Sequence, residues 1–467
     1  MRRLPTMGSM TRYLALLALV AASVAAARQP NILLIVSDDQ GYMDLGSMGS
    51  PDILTPQLDR LAEEGVRLTS YYAAFPVCTP SRGALLTGRY PQRNGTYDNF
   101  RNDRVNDGYR YPLYEYEISP ERILGMDTRE VLLSEVLSDA GYATAVFGKW
   151  DLGSLQRYLP LQRGFDDFYG FVNTGIDYWT HERYGVPSMY RRNLPTKEDK
   201  GRYTTELFEL ETLRFIDEHK AQPFFVYLSY NAPHGASSLD RGIRGFVQAP
   251  GKCLDQYPSP DGLAAERRHK FMAAVTCMDS SIGRVLDRID EHGLRQDTIV
   301  IFVSDNGAGG GGDSGPLRGR KGQMFEGGVR VPFLMRWPSK ITAGSVSDEF
   351  LSALEVFPML VEAAGASLPE NVQLDGFDML PVLQERAESE RKSMFWERQG
   401  EYGARLGTWK LVESRRGSGL FDLSEDVAES NNLAEEVPEV LERVQQAYQD
   451  WVQQMADAEP RGPFKDY

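Results

Sequence analysis

Asn31-Ile-Leu-Leu-Ile-Val-Ser-Asp-Asp-Gln-Gly41 puts five aliphatic residues in succession, then two adjacent carboxylates and a glycine. An unbroken apolar run of this length suits a strand buried on both faces, as in a parallel sheet covered by helices. Acids at the carboxyl end of such a strand stand where open α/β sheets place their ligands. Beside a core, the like charges of Asp38 and Asp39 call for a cation or a basic partner, the alternative being a simple turn. The pattern recurs in Thr298-Ile-Val-Ile-Phe-Val-Ser-Asp-Asn-Gly307. Two strands of this kind can converge Asp38, Asp39, Asp305 and Asn306 on one point, an oxygen set suited to calcium or, less well, magnesium. No His–Cys cluster has the sequence spacing of a zinc site.

Around these strands, helical and strand signals alternate, which predicts an α/β sheet sandwiched by helices. Helices are expected over 55–65, 128–140, 204–220, 262–292 and 350–364, and strands over 66–72, 142–147 and 224–230. The strand at 142–147 leads into Gly148-Lys149-Trp150-Asp151-Leu152-Gly153, and that at 224–230 into Asn231-Ala-Pro-His234. The glycine-rich 307–328 reads as a loop that folds over a ligand and delivers Lys321. Within it Gly307-Ala-Gly-Gly-Gly-Gly312 matches a dinucleotide motif, but no apolar-periodic helix follows. Gly312-Asp-Ser-Gly315 matches a serine-protease string without that enzyme's framework. Residues 93–122, rich in Arg, Asn, Asp and Tyr without a period, read as an ordered excursion near a substrate, and 161–180 as a loop-like stretch rich in aromatics and glycine. Asn94-Gly95-Thr96 is a formal glycosylation sequon, meaningful only in a eukaryotic host. From about 386 the pattern changes to a smaller α+β piece, with strands over 403–412 and 419–423, a helix over 438–456 and a frayed tail over 459–467.

Arg2, Arg3 and Arg12 precede an apolar run and Ala25-Ala26-Ala27, the signature of a secretory leader over 1–27 with cleavage after Ala27. The expected organisation is thus a leader over 1–27, a catalytic domain over 28–385 and a C-terminal subdomain over 386–467. No later stretch is apolar enough to span a bilayer, so the mature protein is expected to be exported, periplasmic or secreted. The net charge is −15 and becomes −18 without the leader's three arginines. Such a balance argues against nucleic acid as a partner, yet permits an anionic substrate, because distant charge is screened over roughly 10 Å. The three cysteines are Cys78, Cys253 and Cys277. In an oxidising compartment, a Cys253–Cys277 pair and two unpaired thiols are both open.

Phe75-Pro-Val-Cys-Thr-Pro-Ser-Arg-Gly-Ala-Leu-Leu-Thr-Gly-Arg-Tyr90 carries the chemistry. Thr79 can cap a helix and Pro80 suits its first position. Cys78 would then lie at the positive end of a helix, where a thiol pKa falls and anions are attracted. A buried, unreactive cysteine is the plainer reading.

Cys78-Thr-Pro-Ser-Arg82 followed by Gly-Ala-Leu-Leu-Thr-Gly-Arg resembles the signature of the sulfatase family. The resemblance extends over nearly the whole mature chain, from Asn31 to Gly407-Thr-Trp-Lys-Leu-Val and Glu429-Ser-Asn-Asn-Leu433. It implies the alkaline-phosphatase-like fold, a large mixed sheet sandwiched by helices with a small C-terminal antiparallel sheet. It further implies that a sulfatase-maturing enzyme oxidises Cys78 to formylglycine (3-oxoalanine). The hydrated aldehyde would then attack a sulfate ester, and a second hydroxyl would release sulfate. By the same resemblance one calcium ion would be held by Asp38, Asp39, Asp305, Asn306 and the modified Cys78. Arg82 would orient the diol, Lys149 and Lys321 would hold sulfate oxygens, and His234 would contact the sulfate and protonate the leaving oxygen. The family reads Gly-Lys-Trp-His-Leu-Gly where this chain has Asp151, so Asp151 is expected to take the histidine's role as base.

The substrate expected from these residues is a sulfated carbohydrate or another sulfate ester. Tyr97, Asp177, Tyr178, Trp179, His181 and Arg183 could form a sugar platform or merely pack a loop. Two further activities share the fold or signature: phosphate or phosphonate monoester hydrolysis, and sulfated-glycan binding without turnover.

Overall fold

The computed structural model describes residues 29–99 and 125–458, so the expected leader, most of the 93–122 excursion and the 459–467 tail lie outside the described residues. Asn31–Ser37 is a fully buried strand, as its aliphatic run requires, and sits in the middle of a ten-stranded mixed sheet. The sheet order is Ser345–Ser347, Val66–Leu68, Phe333–Arg336, Thr298–Ser304, Asn31–Ser37, Phe224–Ser229, Ala143–Lys149, Asp167–Phe171, Met189–Arg191 and Leu194–Pro195. The five strands from Thr298–Ser304 to Asp167–Phe171 run parallel, and the flanking Phe333–Arg336 and Met189–Arg191 strands are antiparallel to them. Ser37 pairs with Ser304, Val36 with Ser229, and Ser229 with Gly148. These strands therefore end nearly level, and the residues after them share one edge.

Both faces of the sheet are covered. Leu34, Val36 and Tyr227 face a core that includes Leu85, Leu354 and Phe357, while Leu33, Ile35 and Leu228 face Phe208, Phe271 and Ile282. The second face is covered by the helices Thr204–His219 and Leu263–Glu291. Cys253 and Cys277 form a disulfide between the short helix Gly251–Leu254 and the long one, which decides between the two cysteine readings and leaves Cys78 free. The long helix also supplies a cap in trans. Asp279 is buried and accepts hydrogen bonds from the backbone N–H groups of Gln57 and Leu58, at the start of the helix Pro56–Glu63. The donors of a first helical turn have no partner within their helix, and a carboxylate there also meets the favourable end of the dipole.

Several expected elements are cut shorter or divided. The expected strand over 66–72 becomes Val66–Leu68 in the main sheet and Tyr71–Tyr72 in a separate pair with Leu351–Ser352. The helix over 128–140 shrinks to Leu133–Asp139, which Glu135 opens by accepting the Leu132 N–H. The helix over 350–364 begins only at Val356, because Ser352 and Glu355 first close a capped turn: Glu355 accepts the Ser352 N–H and Ser352 Oγ accepts the Leu354 N–H. The strand over 403–412 is a hairpin, Glu401–Leu406 with Trp409–Glu413, turning at Gly407 in a left-handed conformation (φ 62°). With Ser393–Arg398, which the sequence reading passed over, and Gly419–Asp422, it makes a four-stranded antiparallel sheet. The helix Pro438–Ala456 lies against this sheet through Tyr448 and Trp451, Tyr448 stacking on Tyr402 with ring centroids 3.9 Å apart. The fold is thus the alkaline-phosphatase-like α/β arrangement with a C-terminal antiparallel sheet. Among the described residues no helix is long and apolar enough to cross a membrane.

Removing the cap in trans tests its contribution. Asp279→Ala leaves buried N–H donors without an acceptor and is expected to cost about 1–3 kcal/mol in chemical denaturation, with Asp279→Asn, which keeps an acceptor oxygen, costing less.

Candidate active site

Cys78 is the first residue of a helix, Cys78–Thr87, whose ten residues are all buried. The residue before it, Val77, is extended (φ −143°, ψ 160°), and Gly88 ends the helix in a left-handed conformation. The expected cap at Thr79 is therefore displaced by two residues: Thr79 is inside the first turn, and its N–H donates to Asn99 Oδ1 at 3.1 Å. Pro80 follows one residue later and likewise lies inside the first turn, not at its start. Asn94 of the sequon is also buried, its side chain bonded to Thr87, Thr96 and the Arg89 carbonyl, which leaves no exposed amide for a glycan.

The level strand ends bring the predicted groups together around this helix start. Cys78 Sγ is 3.5 Å from Asp38 Oδ1 and 3.2 Å from Lys321 Nζ. Each carboxylate has its own cation: Lys149 Nζ lies 2.7 Å from Asp38 Oδ2, Lys321 is bonded to Asp39 Oδ1, and Arg82 grips Asp305 Oδ2 through Nε (2.9 Å) and Nη2 (2.8 Å). Asp305 Oδ1 in turn accepts the Asp39 N–H at 3.2 Å, and Asn306 Nδ2 donates to Asp39 Oδ1 at 2.9 Å. Asp39 has positive φ (72°), and the facing Gly309 has no room for a side chain, since a Cβ there would lie 2.6 Å from Asp39 Cβ. The glycines of the 307–328 loop thus allow the close approach that carries Lys321 in.

Burial and charge set the protonation states. Asp38 is pushed up to about 7 by burial, only partly countered by Lys149. Burial would raise Asp39 too, but Lys321, His234 and the bonds from Lys321 and Asn306 hold it well below the usual carboxylate range. Burial pushes the Cys78 thiol well up, and Asp38 adds to the effect. This corrects the helix-end expectation of an activated thiolate: loss of hydration outweighs the partial charge of the dipole. Asp151 is buried beside Lys149, with its Oδ2 at 3.6 Å, and burial raises its pKa. Its positive φ (59°) is a conformation that short polar side chains tolerate better than bulky ones.

His234 Nε2 lies 3.8 Å from Asp39 Oδ2, and its Nδ1 lies 2.8 Å from the Gly235 carbonyl oxygen. A carbonyl only accepts, so Nδ1 carries the proton. Burial pulls the imidazole down to about 3. His234 thus turns Nε2 toward Asp39 and the site, with Nδ1 held by the backbone.

The expected sugar platform is largely interior. Tyr178 is fully buried, stacked on Tyr203 with centroids 5.6 Å apart, and its hydroxyl donates to the carbonyls of His234 (2.7 Å) and Asn231 (3.0 Å). Asp177 accepts the N–H groups of Trp179 and Thr180, Trp179 packs on Tyr203, and His181 bonds the Arg202 carbonyl. Asp177, Tyr178 and His181 are buried in the loop behind His234, whereas Trp179 is half-buried with its ring packed on Tyr203. Arg183 remains partly exposed near the site, donating to the Gly175 carbonyl at 3.0 Å, and a Cβ on Gly175 would lie 2.8 Å from the His234 ring. Tyr97 is half-buried, three residues after Asn94.

The donor set also fits a divalent cation. Among the described residues, Asp38, Asp39, Cys78 and His234 present ligand atoms within 4.8 Å of one another, a mixed hard and soft group assembled from three separate segments that local spacing could not reveal. Asn306 Oδ1 is buried without a hydrogen-bond partner beside Asp39, an amide oxygen with a coordination position to fill.

Comparison with known proteins agrees with this geometry. Residues 30–366 match the family model "Sulfatase", and residues 320–457 match "N-sulphoglucosamine sulphohydrolase, C-terminal". The chain belongs to the sulfatase family. The sulfatase is 34% identical to dog N-acetylgalactosamine-6-sulfatase over 428 residues, covering 85% of this chain and 76% of the relative. It is also 34% identical to human arylsulfatase A over 478 residues, covering 92% and 89%. Among solved structures it resembles Ps i-CgsB, including its complex with k-i-k-neocarrahexaose, with a TM-score of 0.79, 29% identity and coverage of 91% and 93%. The protein is accordingly a sulfuric ester hydrolase.

Supporting residues in this sulfatase escaped the sequence reading. Ser81 Oγ donates to the Asp305 carbonyl, and Arg82 Nη1 donates to Ser229 Oγ, which fixes the guanidinium between two strand ends. Lys410, on the C-terminal sheet, is fully buried between Glu326 (2.7 Å) and Glu429 (3.2 Å). Glu429 Oε2 also accepts the Glu326 N–H at 2.7 Å, and the Glu429 carbonyl accepts Arg318 Nη1 at 2.8 Å. Arg318 and Glu326 bracket Lys321, so the small sheet anchors the loop that presents this lysine to the site. Lys410→Met would strip Glu429 of its cation and leave Glu326 with Arg330 alone, at 3.3 Å; an expected loss of about 3–5 kcal/mol, measured by chemical denaturation, tests the anchor.

Proposed function

We propose that this sulfatase is an exported enzyme that hydrolyses sulfate monoesters of a carbohydrate, using formylglycine made from Cys78 and one calcium ion. The observation that carries the reading is the setting of Cys78: a buried, protonated thiol that is a poor nucleophile, placed at the point where Lys321, Asp38 and the Arg82–Asp305 pair meet. Conversion to a hydrated aldehyde would supply a hydroxyl nucleophile in place of the thiol. It would also remove the soft ligand, leaving Asp38, Asp39, Asp305 and Asn306 as an oxygen set suited to calcium, which would bind sulfate oxygens and acidify the nucleophile.

The remaining side chains have roles that follow from charge and position. Lys149 and Lys321 hold sulfate oxygens, because both stay charged where negative charge accumulates in the transition state. Arg82, fixed by Asp305 and Ser229, orients residue 78. His234 lines the sulfate position, held from behind by Tyr178. Asp151 serves as base to the reacting hydroxyl in place of the family's histidine, since a carboxylate accepts the same proton. A carbohydrate substrate is supported by the relatives, one named for N-acetylgalactosamine-6-sulfate chemistry and one solved with a neocarrahexaose. Export is supported by the leader-like start of the chain and by the Cys253–Cys277 disulfide, which suits an oxidising compartment. A maturing enzyme that oxidises Cys78 is the required partner.

Three measurements test the reading. Matched aryl sulfate, phosphate and phosphonate esters should show turnover fastest on sulfate, lost on chelation and restored by calcium; preference for the phosphorus esters would overturn it. Peptide mass spectrometry of active enzyme should show 3-oxoalanine at position 78, and an intact thiol there would refute the mechanism. Asp151→Asn should lower kcat by on the order of 10² to 10⁴. A base works only when deprotonated, so activity falls as pH drops through its pKa; because burial raises Asp151, that acid limb should lie at higher pH than for an ordinary carboxylate and should vanish in Asp151→Asn.

A further inference from the structure

The turn that carries His234, Asn231-Ala-Pro-His234, is anchored differently at its two ends. Its first half is tied to the central strands and to a helix: the Tyr230 N–H donates to the Val36 carbonyl at 2.9 Å, the Ala232 carbonyl accepts the Asp38 N–H at 3.0 Å, and Asn231 Oδ1 accepts the Thr204 hydroxyl at 3.0 Å. The His234 end depends on a tyrosine. Its carbonyl accepts the Tyr178 hydroxyl at 2.7 Å, and the same hydroxyl lies 3.0 Å from the Asn231 carbonyl. A phenol has one hydrogen, shared here between two acceptors, so the position of Tyr178 decides how firmly the His234 end is held.

That position is set by Gln248, which the sequence reading passed over. Gln248 Oε1 accepts the Tyr178 N–H at 2.8 Å, and its Nε2 donates to Asp177 Oδ2 at 3.2 Å. A backbone N–H only donates and a carboxylate only accepts, so a single orientation of the amide satisfies both. The Gln248 carbonyl accepts the Tyr203 hydroxyl at 3.0 Å, and the Tyr203 ring is the one stacked on Tyr178. One glutamine thus holds Tyr178 by its backbone and, through Tyr203, by its ring. Gln248 has a fixed support of its own: the helix that follows it, Gly251–Leu254, contains Cys253, which is bonded to Cys277 of the long helix Leu263–Glu291.

We infer that Gln248 is a positioning residue for His234, acting through Tyr178 on the His234 end of the turn and so on where Nε2 meets the substrate. The inference rests on the sulfatase reading, in which His234 lines the sulfate position, and adds to it a residue outside the cluster around Cys78. A misplacement of about 1 Å at a reacting group can cost on the order of 10²-fold in rate. The first half of the turn, with Asp38, keeps its own anchors when Gln248 is changed, so the effect falls on His234.

Turnover of p-nitrophenyl sulfate by the whole protein and its variants measures the effect. Gln248→Met, which keeps the length of the side chain and removes its amide, should lower kcat by about 10-fold with KM changed by less than about twofold, and Tyr178→Phe should do the same. In a His234→Ala background the Gln248→Met change should cost less than about twofold, because a residue that acts through His234 then has nothing left to position. A glutamine that only supports the fold would lower both backgrounds alike; equal losses in the two, or a wild-type kcat in Gln248→Met, would overturn the assignment. A crystal structure of Gln248→Met decides the matter without reference to rate: a displaced His234 ring with Asp38 and Asp305 in place is expected, and an unmoved ring refutes it. Absence of turnover by the wild type counts against the sulfatase reading, whereas turnover together with an unmoved ring counts against the role of Gln248 alone.

Discussion

Three buried carboxylates gathered at one sheet edge would be strongly repulsive without compensation, and the structure resolves this by giving each its own cation. Asp38 takes Lys149, Asp39 takes Lys321 and Asp305 takes Arg82. The cations come from a strand end, a glycine-rich loop and a helix, so satisfying the charges also fixes the relative positions of those elements. A buried charge left unpaired costs several kcal/mol, and that cost makes the arrangement specific. Under the proposed function these same cations, which neutralise the carboxylates, would also receive the sulfate ester.

The rest of the molecule can be understood as support for this pairing. The level carboxyl ends of the parallel strands set the positions of Asp38, Asp305, Lys149 and His234. Behind them stands a ring of bonds: Ser229 on Arg82, Tyr178 on the His234 carbonyl, and Lys410 between the glutamates at the root of the Lys321 loop. The C-terminal sheet thereby acts on the site without reaching it, through the loop it clamps.

How much of this was legible depended on the kind of signal each residue leaves. The strands over Asn31–Ser37 and Thr298–Ser304 were plain, because five aliphatics ending in acids have few alternative structures, and their shared pattern located the carboxylates. Aromatic and polar residues in an aperiodic loop carry no such constraint: Asp177, Tyr178 and His181 suit a sugar platform and a packed interior equally well by composition, and only burial distinguishes the two. The thiol of Cys78 was misjudged for a related reason, since the helix dipole is visible in sequence but desolvation is not. Lys410 and Glu326 lie far apart along the chain, and neither Trp-Lys-Leu nor Phe-Glu-Gly indicates that the charges meet. The hairpin at Gly407 was read as one strand because a single glycine in an apolar run is compatible with continuation as well as reversal.

The central position of Asn31–Ser37 has a consequence for how the molecule assembles. Its two neighbours, Phe224–Ser229 and Thr298–Ser304, come from far later in the chain. On a ribosome the innermost strand emerges first and waits, with both hydrogen-bonding edges and both apolar faces uncovered, until most of the polypeptide has followed. Such long-range parallel pairing slows folding and prolongs exposure of a sticky segment. The architecture that brings the carboxylates to one edge thus makes the nascent chain dependent on protection, by a chaperone or by being held unfolded, until the last third of the sheet arrives.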